Sequence, residues 1–227
     1  MFSTEQDLVD RFKDFSQDFL GGLRNRVVNR YFLIDEFDCS DGIADLVMGT
    51  FTPTHRMSRE RKPIHLDWVY QLQRISSFDK ISTSEFSDLF LISESTARKR
   101  LTEYVEAKFL KQIEGGCFKI SKPYKSVLDF VVAIEAKKKN WSHALAQAYR
   151  YKKFSDLSFV LLDKHFSKPA IKGKEIFQKY NVGLIIMDLD GFEIIVKPAE
   201  NPKKNEAYSS RINEAAISSQ WLSHSIK

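Results

Sequence analysis

The stretch Val127-Leu128-Asp129-Phe130-Val131-Val132-Ala133-Ile134-Glu135-Ala136-Lys137 decides how the rest of this chain is read. Its apolar run is rich in β-branched residues and about as long as a mean strand, so it reads as a largely buried strand. Strand side chains alternate faces with a period of two, which sends Glu135 and Lys137 to one side and Ala136 to the other. An acid and an amine set together where a strand leaves the core add little stability. They suit metal-assisted hydrolysis, in which a carboxylate holds a cation and an amine positions or activates water.

Outward from this strand, the pattern predicts a helix from about Trp141 to Lys152 and a strand over Leu157 to Leu162. A short helix over Lys172 to Tyr180 follows, then strands over Val182 to Asp188 and Glu193 to Lys197 joined by Asp190-Gly191. Near the start, Leu8, Val9, Phe12, Phe15 and Phe19 fall at helical spacings, predicting one amphipathic helix over Thr4 to Leu20. Ser3 or Thr4 would cap it and Gly21-Gly22 would stop it. Tyr31 to Phe37 and Ile43 to Met48 predict two strands joined at Ser40-Asp41-Gly42.

From about Pro53 the character changes. Residues Thr54 to Pro63 are polar and basic, like a linker. Leu66, Val69, Leu72 and Ile75 then predict a helix within His65 to Ser77. Ser82-Thr83-Ser84-Glu85 is a capping box opening a short helix to about Phe90. After a turn at Ile92-Ser93, a longer helix runs from Glu94 to about Lys108. Two short strands, Phe109 to Ile113 and Cys117 to Ile120, flank Gly115-Gly116. This order resembles a winged helix-turn-helix over roughly residues 64 to 122. The resemblance implies contact with duplex DNA through Ser95, Thr96, Arg98, Lys99 and Arg100 in the first turns of the longer helix, where a major-groove reader places its contacts.

Three elements outside that insert fall together: Asp45 on the strand Ile43 to Met48, Glu135 and Lys137 on the next outer strand, and Gln147 with Tyr151 on the following helix. They resemble the PD-(D/E)xK nuclease superfamily, the restriction-endonuclease-like fold. Asp45 and Glu135 match its two metal-binding carboxylates, Glu135-Ala136-Lys137 its E-x-K half-motif, and Gln147 with Tyr151 a Gln-x-x-x-Tyr signature. Ala44 stands before Asp45 where the motif has proline, and an entire insert separates Asp45 from Glu135. A glutamate on the first helix often completes such sites; Glu5 is the candidate, with Glu36 second. The implied fold is α/β, a restriction-endonuclease-like mixed sheet flanked by helices, formed by residues 1–52 and 123–198. A winged helix-turn-helix insertion at 53–122 and a tail at 199–227, helical from about Ala207 to Ser223, complete it. The implied activity is hydrolysis of DNA phosphodiester bonds, with Mg²⁺ or Mn²⁺ held by Asp45, Glu135 and Glu5. Lys137 would orient water or stabilise developing charge, and Gln147 would position Lys137 or the phosphate. Lys138, Lys139, Arg150, Lys152 and Lys153 would meet the DNA backbone beside the cut, or form a solvated helix face. The alternatives are a non-catalytic DNA-binding regulator and a nuclease subunit active only in a larger complex.

Composition bounds these readings. The chain has 227 residues, 43% hydrophobic and 29% charged, and a net charge of +5 from 35 basic against 30 acidic residues. That permits a polyanionic partner without demanding one. The opening residues lack the basic and apolar regions of a signal peptide, and no apolar stretch reaches the ~20 residues of a membrane helix. Cys39 and Cys117 show neither metal-ligand spacing nor a disulfide framework. His55, His65, His143, His165 and His224 form no cluster. A cytoplasmic protein is expected, with a homodimer or a larger protein complex as the open assemblies. Trp221 and Leu222 are candidates for packing on the core or on a second subunit.

Overall fold

The computed structural model describes residues 1–54 and 61–225, with side chains through residue 220. His55 and the side chains of Trp221, Leu222 and His224 lie outside the described residues. In chain order the elements are α1 (Glu5–Lys13), α2 (Ser16–Arg24), β1 (Tyr31–Asp38), β2 (Ile43–Phe51), α3 (Val69–Ile75), β3 (Lys80–Ser82), α4 (Thr83–Phe90) and α5 (Glu94–Glu106). Then come β4 (Leu110–Gln112), β5 (Cys117–Ile120), β6 (Leu128–Lys137), α6 (Trp141–Tyr151), β7 (Leu157–Asp163), α7 (Lys168–Lys172), α8 (Lys174–Tyr180), β8 (Gly183–Met187), β9 (Phe192–Val196) and α9 (Glu206–Ser225). They form two compact units, one of residues 1–53 and 128–209, the other of residues 54–127 and 210–227. The stretch 199–227, set apart as a tail in the sequence, thus divides between them.

The first unit is a mixed α/β structure around a six-stranded sheet of order β1-β2-β6-β7-β8-β9. The neighbours β6, β7 and β8 run parallel, and the outer pairings are antiparallel. Each parallel step needs a crossover, which α6 and the pair α7–α8 supply. Alternation along the strands divides the core. Leu46, Met48, Val132, Ile134, Ala136, Leu161 and Ile185 pack against α1 and α2. Val160, Leu162 and Leu184 pack against α6, α7 and α8.

The N-terminal helix differs from its expected form in two ways. It breaks between Lys13 and Ser16, where Phe15 leaves helical geometry to cap α2. The break lets Phe12, Phe15 and Phe19 all set their rings against Phe192, at centroid distances of 5.5, 5.8 and 5.6 Å. Gly21-Gly22 also fails to stop the helix, which ends instead at left-handed Asn25. Gly21 serves one turn earlier: its carbonyl accepts the Arg26 N–H at 3.2 Å, and a Cβ there would meet Arg26 O at 3.1 Å. Likewise the helix expected over Lys172 to Tyr180 starts earlier and is broken at Gly173.

Gly49 is needed where β2 passes β6. A Cβ there would stand 2.2 Å from the Phe130 carbonyl oxygen and 2.8 Å from the Phe32 ring. Backbone inside a sheet cannot retreat, so Gly49→Ala is expected to cost about 1–3 kcal/mol through overpacking. A urea midpoint equal to wild type would refute that account.

The second unit packs α3, α4 and α5 over a small antiparallel sheet of order β3-β5-β4. Its core gathers Leu72, Phe86, Leu101, Tyr104 and Phe118, and the buried Tyr104 hydroxyl donates to the Trp68 carbonyl at 2.6 Å. The capping box forms: Ser82 Oγ accepts from Glu85 N at 3.2 Å, and Glu85 Oε2 accepts from Ser82 N at 2.7 Å. Strand β3, three residues long, has no pattern of its own in the sequence; pairing with β5 creates it.

Candidate active site

The last antiparallel pair between β2 and β6 is Leu46 with Ile134. Beyond it the ladder opens, and a side chain takes the place of a backbone acceptor: Asp45 Oδ2 accepts the Ala136 N–H at 2.7 Å. Since Leu46, Ile134 and Ala136 turn to the α1–α2 core, Asp45, Glu135 and Lys137 share the other face. The Lys137 ammonium is the centre of the cluster. Its Nζ lies 3.0 Å from Glu135 Oε1, 3.2 Å from Glu5 Oε2 and 3.7 Å from Asp45 Oδ2, and donates to the Ala136 carbonyl at 3.0 Å.

Glu5 reaches this point because the chain start is anchored. The Phe2 side chain is buried in the core, and its N–H donates at 2.9 Å to Asp163, a buried carboxylate at the end of β7. Glu5 Oε1 accepts the Lys138 N–H at 3.2 Å, and Lys138 Nζ donates to the Ser3 carbonyl at 2.7 Å. Lys139 is exposed, its Nζ 4.6 Å over the Phe166 ring. Glu36, the second candidate, is an exposed residue with φ of 48° whose side chain makes no ion pair or hydrogen bond to another described residue.

Glu135 is 1% exposed and Tyr151 fully buried, and their polar ends meet. Tyr151 Oη stands 2.5 Å from Glu135 Oε2 and 2.6 Å from the Ile43 carbonyl oxygen. The one phenolic proton is shared between the carboxylate and the carbonyl, with Tyr151 as the donor to both. Burial pushes the Glu135 carboxyl above the usual range, with the Tyr151 hydrogen bond and the Lys137 ammonium opposing the rise and Asp45 adding to it. Burial likewise raises Asp45 against the Ala136 N–H and Lys137. Burial alone would lower Lys137, but Glu135, Asp45 and Glu5 outweigh it and hold the ammonium above its ordinary value. Glu135 Oε1, despite its ion pair, has no aligned hydrogen-bond donor. Gln147 does not reach Lys137: its Oε1 is buried without a partner. Tyr151 is therefore the member of the Gln-x-x-x-Tyr pair that touches the site, and burial separates it from Gln147 where spacing does not.

Among the described residues, no group of three or more His, Cys, Asp or Glu side chains is gathered to hold a metal ion; the carboxylates are gathered on an ammonium instead. Asp45 and Glu135 still fit a hard divalent cation. They are oxygen donors whose charged forms burial leaves under-compensated, and Mg²⁺ needs only one or two carboxylates with its waters.

In the second unit, Ser95, Thr96, Arg98 and Lys99 lie on the first turns of α5, which Ser93 caps by accepting from Thr96 N at 3.3 Å. Ser93 Oγ also pairs with the Ser95 and Thr96 hydroxyls, each at 2.9 Å. Arg98 and Lys99 are exposed. They line a groove to which Glu94, Glu103 and Glu106 also contribute. Arg100 is occupied within the fold, stacked 4.3 Å over the Trp68 ring and bonded to Glu103 at 2.9 Å.

No family model matches this chain, and no curated protein does. Among solved structures the chain is similar to the SPO1766 protein of unknown function from Silicibacter pomeroyi, at 23% identity and a TM-score of 0.31. The match covers 42% of this chain and 60% of that one. Among the described residues no helix is long and apolar enough to cross a membrane.

Proposed function

We propose that this protein is a metal-dependent nuclease of the PD-(D/E)xK type, in which the inserted unit is a winged helix that contacts duplex DNA. The observation that carries the reading is the convergence of Asp45, Glu135 and Glu5 on Lys137 at the open end of the β2–β6 ladder. The element order supports it too: α1, three antiparallel neighbours β1, β2 and β6, then α6 and a parallel β7. The insert lies between β2 and β6, so it separates Asp45 from Glu135 in sequence while leaving their strands paired.

Asp45 and Glu135 would hold the ion. When bound, a divalent cation polarises a phosphoryl oxygen and lowers the pKa of an attached water. Lys137 would orient that water and offset the negative charge that develops around phosphorus. Tyr151 holds Glu135 in place. Supercoiled plasmid with Mg²⁺ or Mn²⁺ is expected to be nicked or linearised, and a chelator to stop it. Duplex binding without cleavage in either metal would favour the non-catalytic regulator.

The α5 reading has its own test. Each phosphate contact adds roughly one unit to the slope of log affinity against log salt. Arg98→Ala with Lys99→Ala is expected to flatten the slope for random duplex by about two units. Arg100→Ala should leave that slope in place and lower the stability of the second unit, because its guanidinium packs on Trp68. A slope unchanged by the double variant would remove α5 from the interface.

A further inference from the structure

Charge is unevenly placed on the sheet unit. Helices α6, α7 and α8, with Lys152 capping α6, carry six cationic side chains, Arg150, Lys152, Lys168, Lys172, Lys174 and Lys179, against one acid, Glu175. Helices α1 and α2 carry four acids against three bases. The two sets cover opposite faces of the sheet, since neighbouring residues of β7 alternate between their cores. Among the described residues none of the six cations is ion-paired to a carboxylate. Lys13, Lys153, Lys164 and Lys204 of the same unit all are. A row of cations without close carboxylate partners on one face, Arg150 alone acting at longer range on Asp41, is the electrostatic footprint of a polyanion.

Two aromatic rings stand on the same face. Tyr149 is 50% exposed and Tyr180 44%, with ring centroids 5.7 Å apart, edge to face. Lys152 Nζ lies 5.1 Å from the Tyr149 ring and Lys179 Nζ 5.9 Å from the Tyr180 ring. Neither hydroxyl bonds to another described residue, so hydrogen bonding does not explain these rings. Exposed rings among cations suit unpaired nucleobases, which stack on aromatic faces while lysines hold the phosphates. A duplex keeps its base faces hidden and would use only the cations.

We infer that the outer face of α6–α8 binds single-stranded nucleic acid, with Tyr149 and Tyr180 as its stacking platform. The inference builds on the nuclease reading by naming the form of the substrate, single-stranded or locally unpaired. Tyr149 lies two residues from Tyr151, and so on the far side of α6 from the candidate active site.

The test is fluorescence anisotropy of the full chain with labelled oligothymidine and with a mixed-sequence duplex, in chelator so that binding is read without cleavage. Tyr149→Ala with Tyr180→Ala is expected to weaken oligothymidine binding at least about tenfold while leaving duplex binding unchanged. Replacing both by Phe should restore it. Lys172→Glu with Lys174→Glu should flatten the salt dependence for the single strand. Unchanged oligothymidine affinity in the Ala pair, or an equal loss on duplex, overturns the inference. A wild type that binds oligothymidine through the two tyrosines yet cleaves no nucleic acid with Mg²⁺ or Mn²⁺ overturns the nuclease reading alone. Cleavage by an Ala pair that keeps full single-strand affinity does the reverse.

Discussion

Lys137→Ala and Asp45→Asn are each expected to lower metal-dependent plasmid cleavage by at least about 10²–10³-fold, the usual effect of losing one preorganised electrostatic group at a reacting centre. The two differ in stability, and that difference makes the test specific. Lys137 balances three carboxylates, so its removal leaves Glu135 buried without a cation and should lower the melting temperature. Asparagine at position 45 keeps an acceptor for the Ala136 N–H and removes a charge that burial disfavours. A carboxyl raised in the folded state contributes stability below its unfolded value, and loses it as pH rises through the folded value. At pH 7, in chelator, wild type therefore bears the cost of the Asp45 charge and Asp45→Asn does not. The variant should melt higher there, and the advantage should vanish as pH falls below the ordinary Asp value of 3.8. Lost activity with raised stability is the mark of a functional carboxylate. Plasmid cleavage surviving in both variants would place the site elsewhere.

Glu214→Ala is expected to destabilise the second unit by about 3–5 kcal/mol, the cost of leaving a buried charge without its partner. Glu214 is fully buried, and its Oε1 lies 2.5 Å from Arg61 Nη2, itself only 11% exposed. The same carboxylate accepts the Ile64 N–H at 2.8 Å and the Tyr124 hydroxyl at 2.7 Å, with Asn213 Nδ2 at 3.1 Å. Truncation therefore strands a guanidinium, a backbone N–H and a phenol together. Burial lowers Arg61, but Glu214 more than compensates and holds it above its usual value. Chemical unfolding of wild type and variant measures the loss directly. A change under about 1 kcal/mol would show the network to be replaceable by water. This network also explains why residues after Ser209 belong with the insert, which nothing in the polar composition of the tail suggested.

Much of the candidate site was legible because local rules governed it. Alternation along a buried strand puts Glu135 and Lys137 on one face wherever that strand lies. Asp45 was visible as an acid between Ala44 and Leu46 on an apolar strand, and Glu5 as an acid in a first helical turn. The Ser82–Glu85 capping box lies within four residues and formed as read. What spacing could not settle was the difference between Gln147 and Tyr151. They sit one helical turn apart, yet Tyr151 meets Glu135 and the Gln147 Oε1 meets no described partner.

The sequence by itself therefore determined the mixed α/β character, the boundaries of most strands, and the face that Glu135 and Lys137 share. Each of these follows from interactions a few residues long, set by periodicity, capping and turn chemistry. Only the tertiary structure decided that Lys137 is the hub of three carboxylates drawn from α1, β2 and β6, and that Phe2 on Asp163 brings Glu5 to it. It also decided that α7 and α8 join α6 to set on one face a row of cations with no salt-bridge partner among the described residues, and that Glu214 closes the second unit from more than a hundred residues away. Those contacts depend on which segments meet across the sheet and core, and no local pattern encodes which partner a buried charge will find.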